Sequence, residues 1–491
     1  MTLTKLVLLI TVIALALTLL LVFVLKKQKR TWVSFLQNWA GVLFIISGWV
    51  KAIDPMGTAF KMEEYFAEFQ AALEPTWFSF LAKSFPWFAE HSIGFSVFMI
   101  VLEIVLGFAL IIGWKPRLTS WLFFLIVIFF LALTGFTFLT GYVPSNNTFF
   151  EFSAWGPWVK EQMRVTDCGC FGDFLVLDPR TSFFKDVVLT VPALIFLFQH
   201  KNFHQLLTGP IRHIITVVSA VGLTLFSMNN YLWNLPSSDF RPFKEGVNVY
   251  QQRNAEIEAM SSRQITGYRL TNKSSAKVVE LPYEQYMANL ANYPKSDWSA
   301  EQILSEPAIK PTKISDFAIY DENGDEITEE VLANPDYSFM IVSYKLAAEE
   351  HTHQVTVQDS VMQVDTVLEG DSIRLVTSYR VTPKEVTEVS YEWDRTLLTN
   401  YARLKPFIEA AQAAGKSIYV VAGGASLEKR DAFRQAVGVR IPFYEADDIL
   451  LKTIIRSNPG LVLMKEGVIL KKWHINHIPG FAEVEKNWMQ Q

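Results

Sequence analysis

The chain has 491 residues, too many for one ordinary core, so two or more domains are expected. Half of it is hydrophobic, 19% is charged and the net charge is −5, which together with the lack of a recognition motif gives no reason to expect nucleic acid as a partner. Two cysteines allow one internal bridge and exclude a disulfide framework.

Composition splits sharply. Residues 1–235 are mostly apolar, and residues 236–491 resemble an ordinary soluble protein. Leu6–Leu25 is an uncharged run of bilayer length. Its basic cluster, Lys26-Lys27-Gln28-Lys29-Arg30, follows the apolar stretch, so we read a retained anchor rather than a cleaved signal. Five more spans are expected near 31–52, 92–113, 118–142, 182–198 and 211–233. Lys26–Arg30, Lys115 with Arg117, and the 201–212 linker share one side, which the positive-inside rule makes cytoplasmic. Loops 53–91 and 143–181, and everything after the sixth span, then lie outside. Trp32, Trp49, Trp114, Tyr142, Tyr231 and Trp233 sit near span ends, as an aromatic belt does.

Glu103 falls near the middle of the third span, where a carboxyl is costly unless neutral, paired or beside a water path. It is a candidate proton carrier or headgroup ligand; the competing reading is a protonated Glu bonded to a neighbouring helix. Lys51 and Asp54, three apart at the end of the second span, can meet on one helical face, although Lys51 can also simply snorkel to the interface. Asp54-Pro55 followed by Gly57 marks a helix exit.

Both cysteines lie in Asp167-Cys168-Gly169-Cys170-Phe171-Gly172-Asp173, on the outer side. A bridge between positions i and i+2 closes a very small ring and is expected to be strained, hence labile and suited to exchange rather than stapling. Gly169 relaxes the backbone limits on closing it. A reactive thiolate wants positive neighbours. Arg164, Arg180 and Lys185 are near in sequence, but so are Asp167, Asp173, Asp178 and Asp186, and Lys51 or Lys61 can supply charge from the same face. A metal held by Cys168, Cys170, Asp167 and Asp173 would normally recruit His, with only His91, His351 and His353 to draw on. We assign no metal site.

Ser47-Gly48, Lys51, Asp54-Pro55, Gly57, Lys61 and Tyr65, then Glu103 with Gly107, then the Cys-Gly-Cys-Phe-Gly stretch, resemble DoxX-like and MauE-like membrane proteins. The resemblance covers about residues 31–200 as a four-helix core, with 1–30 an added anchor and 201–235 an added sixth helix. It implies redox-linked or envelope-assembly work: disulfide formation in a periplasmic enzyme for MauE-like members, quinone-linked sulfur oxidation for DoxX relatives. The core also resembles vitamin K epoxide reductases, which carry Cys-x-x-Cys instead. A quinone is therefore the cofactor the resemblance implies, with Glu103, Lys51 and Asp54 as its proton route or pocket.

After an exit and linker at 236–311, a second pattern begins. Asp316–Tyr320 alternates like a strand before the turn at Asp321–Asp325, and 337–344 reads as a buried strand. A helix at 396–415, a strand at 417–421, helices at 427–437 and 447–455, and a hairpin over 461–473 follow, arguing for an α/β layer with a mixed sheet. The order over 312–491 resembles a thioredoxin-like domain, with Pro459 at the family's cis-proline. The departure is that no cysteine follows the 339–344 strand; a polar insertion, 346–392, stands there instead. His351-Thr352-His353 within it reads as a solvated loop.

The expectation is an α-helical polytopic membrane bundle joined to an α/β thioredoxin-like domain, in a bacterial inner membrane with that domain periplasmic. Cys168 and Cys170 would exchange disulfides with an envelope protein held by the C-terminal domain. The alternative is a non-catalytic scaffold whose C-terminal domain binds an assembly or secretion partner.

Overall fold

A computed structural model describes residues 2–165, 169–275, 277–369 and 372–490. The chain forms two compact units, one of residues 1–244 with 255–312 and the other of residues 245–254 with 313–491.

In the first unit, α1 (Leu3–Leu19) runs on through a π-helical turn to Leu25, and Lys26 in the left-handed region ends it. Then come α2 (Thr31–Ile53), α3 (Pro55–Leu73), α4 (Ser92–Ile112), α5 (Pro116–Thr140), α6 (Pro179–Gln199) and α7 (Gly209–Met228). Among the described residues six helices are long and apolar enough to cross a membrane: Leu3–Leu25, Thr31–Ile53, Ser92–Ile112, Pro116–Thr140, Pro179–Asn202 and Gly209–Trp233. By that measure this is a multi-pass membrane protein. Their outward faces carry exposed Leu8, Phe98, Val188, Phe198, Ile214 and Val218, the surface that lipid covers. The α3 helix is not a span; it belongs to the segment between the second and third.

Glycine decides how α2 and α4 meet. A Cβ on Gly48 would lie 2.4 Å from Ile104 Cγ1, and one on Gly107 would lie 2.7 Å from the Gly41 carbonyl oxygen. Only hydrogen at these positions lets the two backbones touch. Lys51 stands one turn beyond Gly48, and Glu103 directly precedes Ile104, so the same contact brings this lysine and this glutamate together.

The linker expected over 236–311 is not one piece. Residues 265–304 build a three-stranded antiparallel sheet, β1 (Ile265–Asn272) between β2 (Val278–Pro282) and β3 (Trp298–Leu304), within the first unit. Residues 245–254 instead join the second, where Gly246 N–H donates to the Ile469 carbonyl at 2.7 Å and Val249 N–H to that of Gly467 at 2.8 Å. Arg253 adds ion pairs to Glu326 at 3.2 Å and Glu329 at 3.3 Å.

The second unit is built on a five-stranded mixed sheet. Its strands are β4 (Ser338–Ser343), β7 (Ser417–Gly423), β8 (Phe443–Ala446), β9 (Gly460–Lys465) and β10 (Val468–His474), in the order β10-β9-β4-β7-β8. β4, β7 and β8 are parallel, and β9 and β10 run antiparallel to their neighbours. Every residue of β4 is buried, as its unbroken apolar run Phe339–Val342 requires of a central strand. Helices α8 (Arg395–Ala413), α9 (Leu427–Val437) and α10 (Asp448–Ile454) accompany it. Phe339, Ile341, Phe407, Val420, Phe433 and Leu463 share one hydrophobic cluster. The Asn458–Pro459 peptide is cis and directly precedes β9.

Two expectations change. Asp316–Tyr320 is not a strand: only Tyr320 pairs, exchanging 2.8 Å bonds with Glu445, because the turn at Asp321 begins at once. The polar insertion is not a loop either. It is a long antiparallel ribbon of β5 (Ala348–Glu369) and β6 (Ser372–Trp393), set between β4 and α8. β-branched residues such as Val355, Thr356, Val357, Val386 and Thr387 suit it to pairing.

Candidate functional site

The site lies inside the helical bundle of the first unit. A cavity of about 70 Å³ is bounded by α2, α3, α4, α5, α6 and the loop at Gly169–Phe171. Five charged side chains line it, and four of them form two pairs. Lys51 Nζ donates to Glu103 Oε2, and Lys185 Nζ donates to Asp186 Oδ1. Glu103 is 3% exposed, Lys51 5% and Asp186 0%, while the Lys185 side chain is 20% exposed, so both carboxylates and Lys51 are held away from bulk water. Thr134 Oγ1 donates to Asp186 Oδ2 at 3.0 Å, and Lys51 Nζ sits 5.2 Å over the Phe130 ring. Tyr65 hydroxyl and Thr137 Oγ1 share a hydrogen bond at 2.9 Å on the α3 side. Desolvating these charges is expensive, and the Coulomb attraction offsets it only while the pairs stay intact.

The cysteine loop is closed by a turn of its own and fastened to the bundle at two points. Gly172 N–H donates to the Gly169 carbonyl at 3.1 Å, closing a turn whose ends, Gly169 (φ 59°) and Gly172 (φ 50°), are both left-handed. Phe171 inserts its ring into the bundle core, and Ser47 Oγ on α2 donates to the Cys170 carbonyl at 2.8 Å. Cys170 is thereby held half-buried against the cavity wall. Burial pushes its thiol above the ordinary value; Lys185 pulls it down, Asp186 pushes it up, and Lys51 and Glu103 act in the same opposed senses more weakly.

The structure thus brings Lys51, Glu103, Lys61 and Cys170 to one cavity. Lys61 donates to Glu64 Oε2 at 2.7 Å, and its stem runs past Gly169, where an added Cβ would be 3.2 Å from Lys61 Cγ. Asp54 is placed differently from the expectation. Its Oδ1 accepts from Gly57 N–H at 3.1 Å and caps α3, with Pro55 in the first turn, while Lys51 turns to Glu103. Asp173 is exposed in the short turn Gly172–Phe174 and does not line the cavity. Asp167 and Cys168 lie outside the described residues.

Sequence reasoning left Lys185 and Asp186 as local charges of unknown direction and passed over Thr134. The signal was present: α6 begins at Pro179, so an adjacent Lys-Asp pair falls in the second turn of a span rather than in the loop before it.

Beside the cavity lies an apolar groove of about 510 Å³. Leu6, Ile10, Phe184 and Val188 line it, with Arg180 and Lys185 as its cations. Groove and cavity share Leu43, Phe171, Lys185 and Leu189 as a common wall.

No family model matches the chain, and no curated protein matches it. A solution structure from Bacteroides thetaiotaomicron, provisionally named a protein disulfide isomerase, is similar at 13% identity over 35% of this chain and 81% of that one, with a TM-score of 0.21. A superposition that loose carries no argument about either protein's activity.

Proposed function

We propose that this chain is a DoxX-like or MauE-like protein of a bacterial inner membrane that exchanges thiols and disulfides at Cys168 and Cys170. The observation that carries the reading is the fastening of Cys170 at a cavity lined by two Lys–carboxylate pairs. A turn that only joined two helices would have no use for three buried charges beside it.

In the proposed exchange a thiolate of the partner attacks one sulfur of a Cys168–Cys170 disulfide. The S–S bond breaks and a mixed disulfide forms; the partner's second thiolate then displaces the chain's sulfur. The partner leaves with a new disulfide, and Cys168 and Cys170 are left as two thiols holding two electrons and two protons. The raised Cys170 thiol suits the sulfur that stays protonated after reduction. Glu103 and Asp186, each beside a lysine and a cavity with room for water, can pass protons from that thiol.

A lipid quinone would accept the electron pair and protons and restore the disulfide. The cavity does not fit its ring, since about 70 Å³ falls well short of the ~150 Å³ of a cavity that takes up one benzene. The neighbouring groove does fit, with Lys185 and Arg180 as donors for a ring oxygen and an apolar wall for the tail. This reading moves Lys51 and Glu103 to the proton route and leaves Asp54 as a helix cap.

The second unit supports a thioredoxin-like reading through its mixed sheet, with α8 between the parallel strands β4 and β7 and α9 between β7 and β8. The ribbon stands where such a domain would carry its dithiol, so we assign this unit, on the periplasmic side, the binding of the partner protein. The same ribbon favours the second reading, a scaffold that binds an envelope partner without exchange.

The test is Cys170→Ser in the full-length protein, probed for mixed disulfides on non-reducing gels, beside the Cys168→Ser/Cys170→Ser double variant. Accumulation of a partner adduct in the single variant, with loss of phenotype in the double, supports exchange. A fully functional double variant leaves the scaffold.

A further inference from the structure

The foot of the ribbon gathers chemistry that the membrane site does not use. In the β5–β6 register Glu349 faces Glu392, His351 faces Ser390 and His353 faces Glu388. Alternation puts all six on one face of the ribbon. Glu350, Tyr391 and Trp393 occupy the other face, and they anchor it. Trp393 meets the Phe433 ring at 4.9 Å, Tyr391 stacks on Trp393 at 5.2 Å, and Lys429 Nζ donates to Glu350 Oε1 at 2.8 Å. The first face is therefore presented outward from a fastened base.

Two features of that face are otherwise unexplained. Glu349 and Glu392 are directly opposed carboxylates, a pairing that repels across an antiparallel pair. Nearby, His351 Nε2 lies 3.8 Å from Glu392 Oε2, and one donor atom from each of Glu349, His351 and Glu392 falls within 4.8 Å of the others. A divalent cation among the three removes the repulsion and uses every donor. All three side chains are exposed, so small rotamer changes can draw them to coordination distances of about 2.0–2.2 Å.

We propose that Glu349, His351 and Glu392 bind a divalent transition-metal ion of the zinc class, with water or His353 as the fourth ligand. One imidazole with two carboxylates selects zinc-like ions over magnesium, which prefers an all-oxygen octahedron. The site is independent of thiol exchange and stands or falls separately from it.

The experiment uses the full-length chain in detergent, without a histidine tag and with Cys168→Ser/Cys170→Ser so that no thiolate competes. After chelator treatment, zinc chloride is titrated calorimetrically, with magnesium chloride as the control. One zinc per chain is expected, with magnesium failing to compete. His351→Ala and the Glu349→Gln/Glu392→Gln pair should each weaken binding by at least about tenfold. An unchanged thermal melt in the metal-free variants shows them folded, as expected for replacement of exposed side chains. No zinc uptake, equal affinity in His351→Ala, or equal competition by magnesium would overturn the proposal.

Discussion

The interiors of the two units are built on different terms. The main cluster of the second is apolar: Phe339, Ile341, Phe407, Val420, Phe433 and Leu463 fill it, its buried Tyr401 hydroxyl bonds to Ser343 Oγ at 2.7 Å, and the buried cations outside that cluster, Arg430, Arg456 and Lys472, donate to backbone carbonyls rather than lining a cavity together. Burial pushes the Tyr401 hydroxyl well above the ordinary tyrosine range, so it stays neutral. The first unit, whose outer surface is the greasier of the two, keeps charge inside, with Lys51, Glu103, Lys185 and Asp186 around one cavity. In water an apolar core is the driving force for folding; in a bilayer apolar side chains gain little by facing inward, so the interior is free to be polar. Charge retained there at a desolvation cost is more informative about function than any residue of the second core.

The strongest way to break this comparison is to remove one charge. Glu103→Gln leaves Lys51 buried and unpaired and should cost about 3–5 kcal/mol, read as a fall in thermal stability in detergent. Lys51→Met combined with Glu103→Leu should recover most of it, while exchange at the cysteines stays impaired. Full exchange in the double variant would strip the pair of its proposed role. In the second unit Phe339→Ala should lose a similar ~3–5 kcal/mol through the cavity it opens. Maleimide labelling of Cys170 should not change in that variant, because its surroundings lie in the other unit.

A smaller effect tests the helix contact. Gly48→Leu drives a side chain into Ile104 and should cost about 1–3 kcal/mol while separating Lys51 from Glu103. A variant as stable as the parent would show that the backbones need not touch. The smallest effect concerns the loop. Ser47→Ala removes the bond to the Cys170 carbonyl, worth about 0.5–1.5 kcal/mol, and should speed alkylation of Cys170. In a Cys168→Ser background that alkylation should still be climbing above the pH of about 8.5 at which an unperturbed thiol titrates, because burial raises this one. A plateau below that pH would mean the thiol is activated rather than suppressed.

Much of the architecture was legible beforehand. The apolar runs located six spans to within a few residues, because crossing a bilayer demands some twenty apolar residues in succession. In the second half β4, β7, β9 and β10 and the three helices among them were legible in order, whereas β8 was not expected and Asp316–Tyr320 was expected to be a strand. Glu103 and Lys51 stood out separately, since an ionisable residue in a span is conspicuous wherever it points.

Their partnership did not stand out. Lys51 had Asp54 three residues away and Glu103 fifty-two away, and local spacing favours the nearer acid. Gly41, Gly48 and Gly107 reverse that preference by letting two backbones touch, which no pattern along one helix can state. The strands of the ribbon were missed for a similar reason: a polar stretch pairs only with its mate, and neither half of β5–β6 announces the other. By itself the sequence determined which segments meet lipid and which residue types were available for chemistry, because burial and length act along the chain. Tertiary structure alone decided which charges face which, because that depends on helices and strands far apart in the chain coming within a few ångströms.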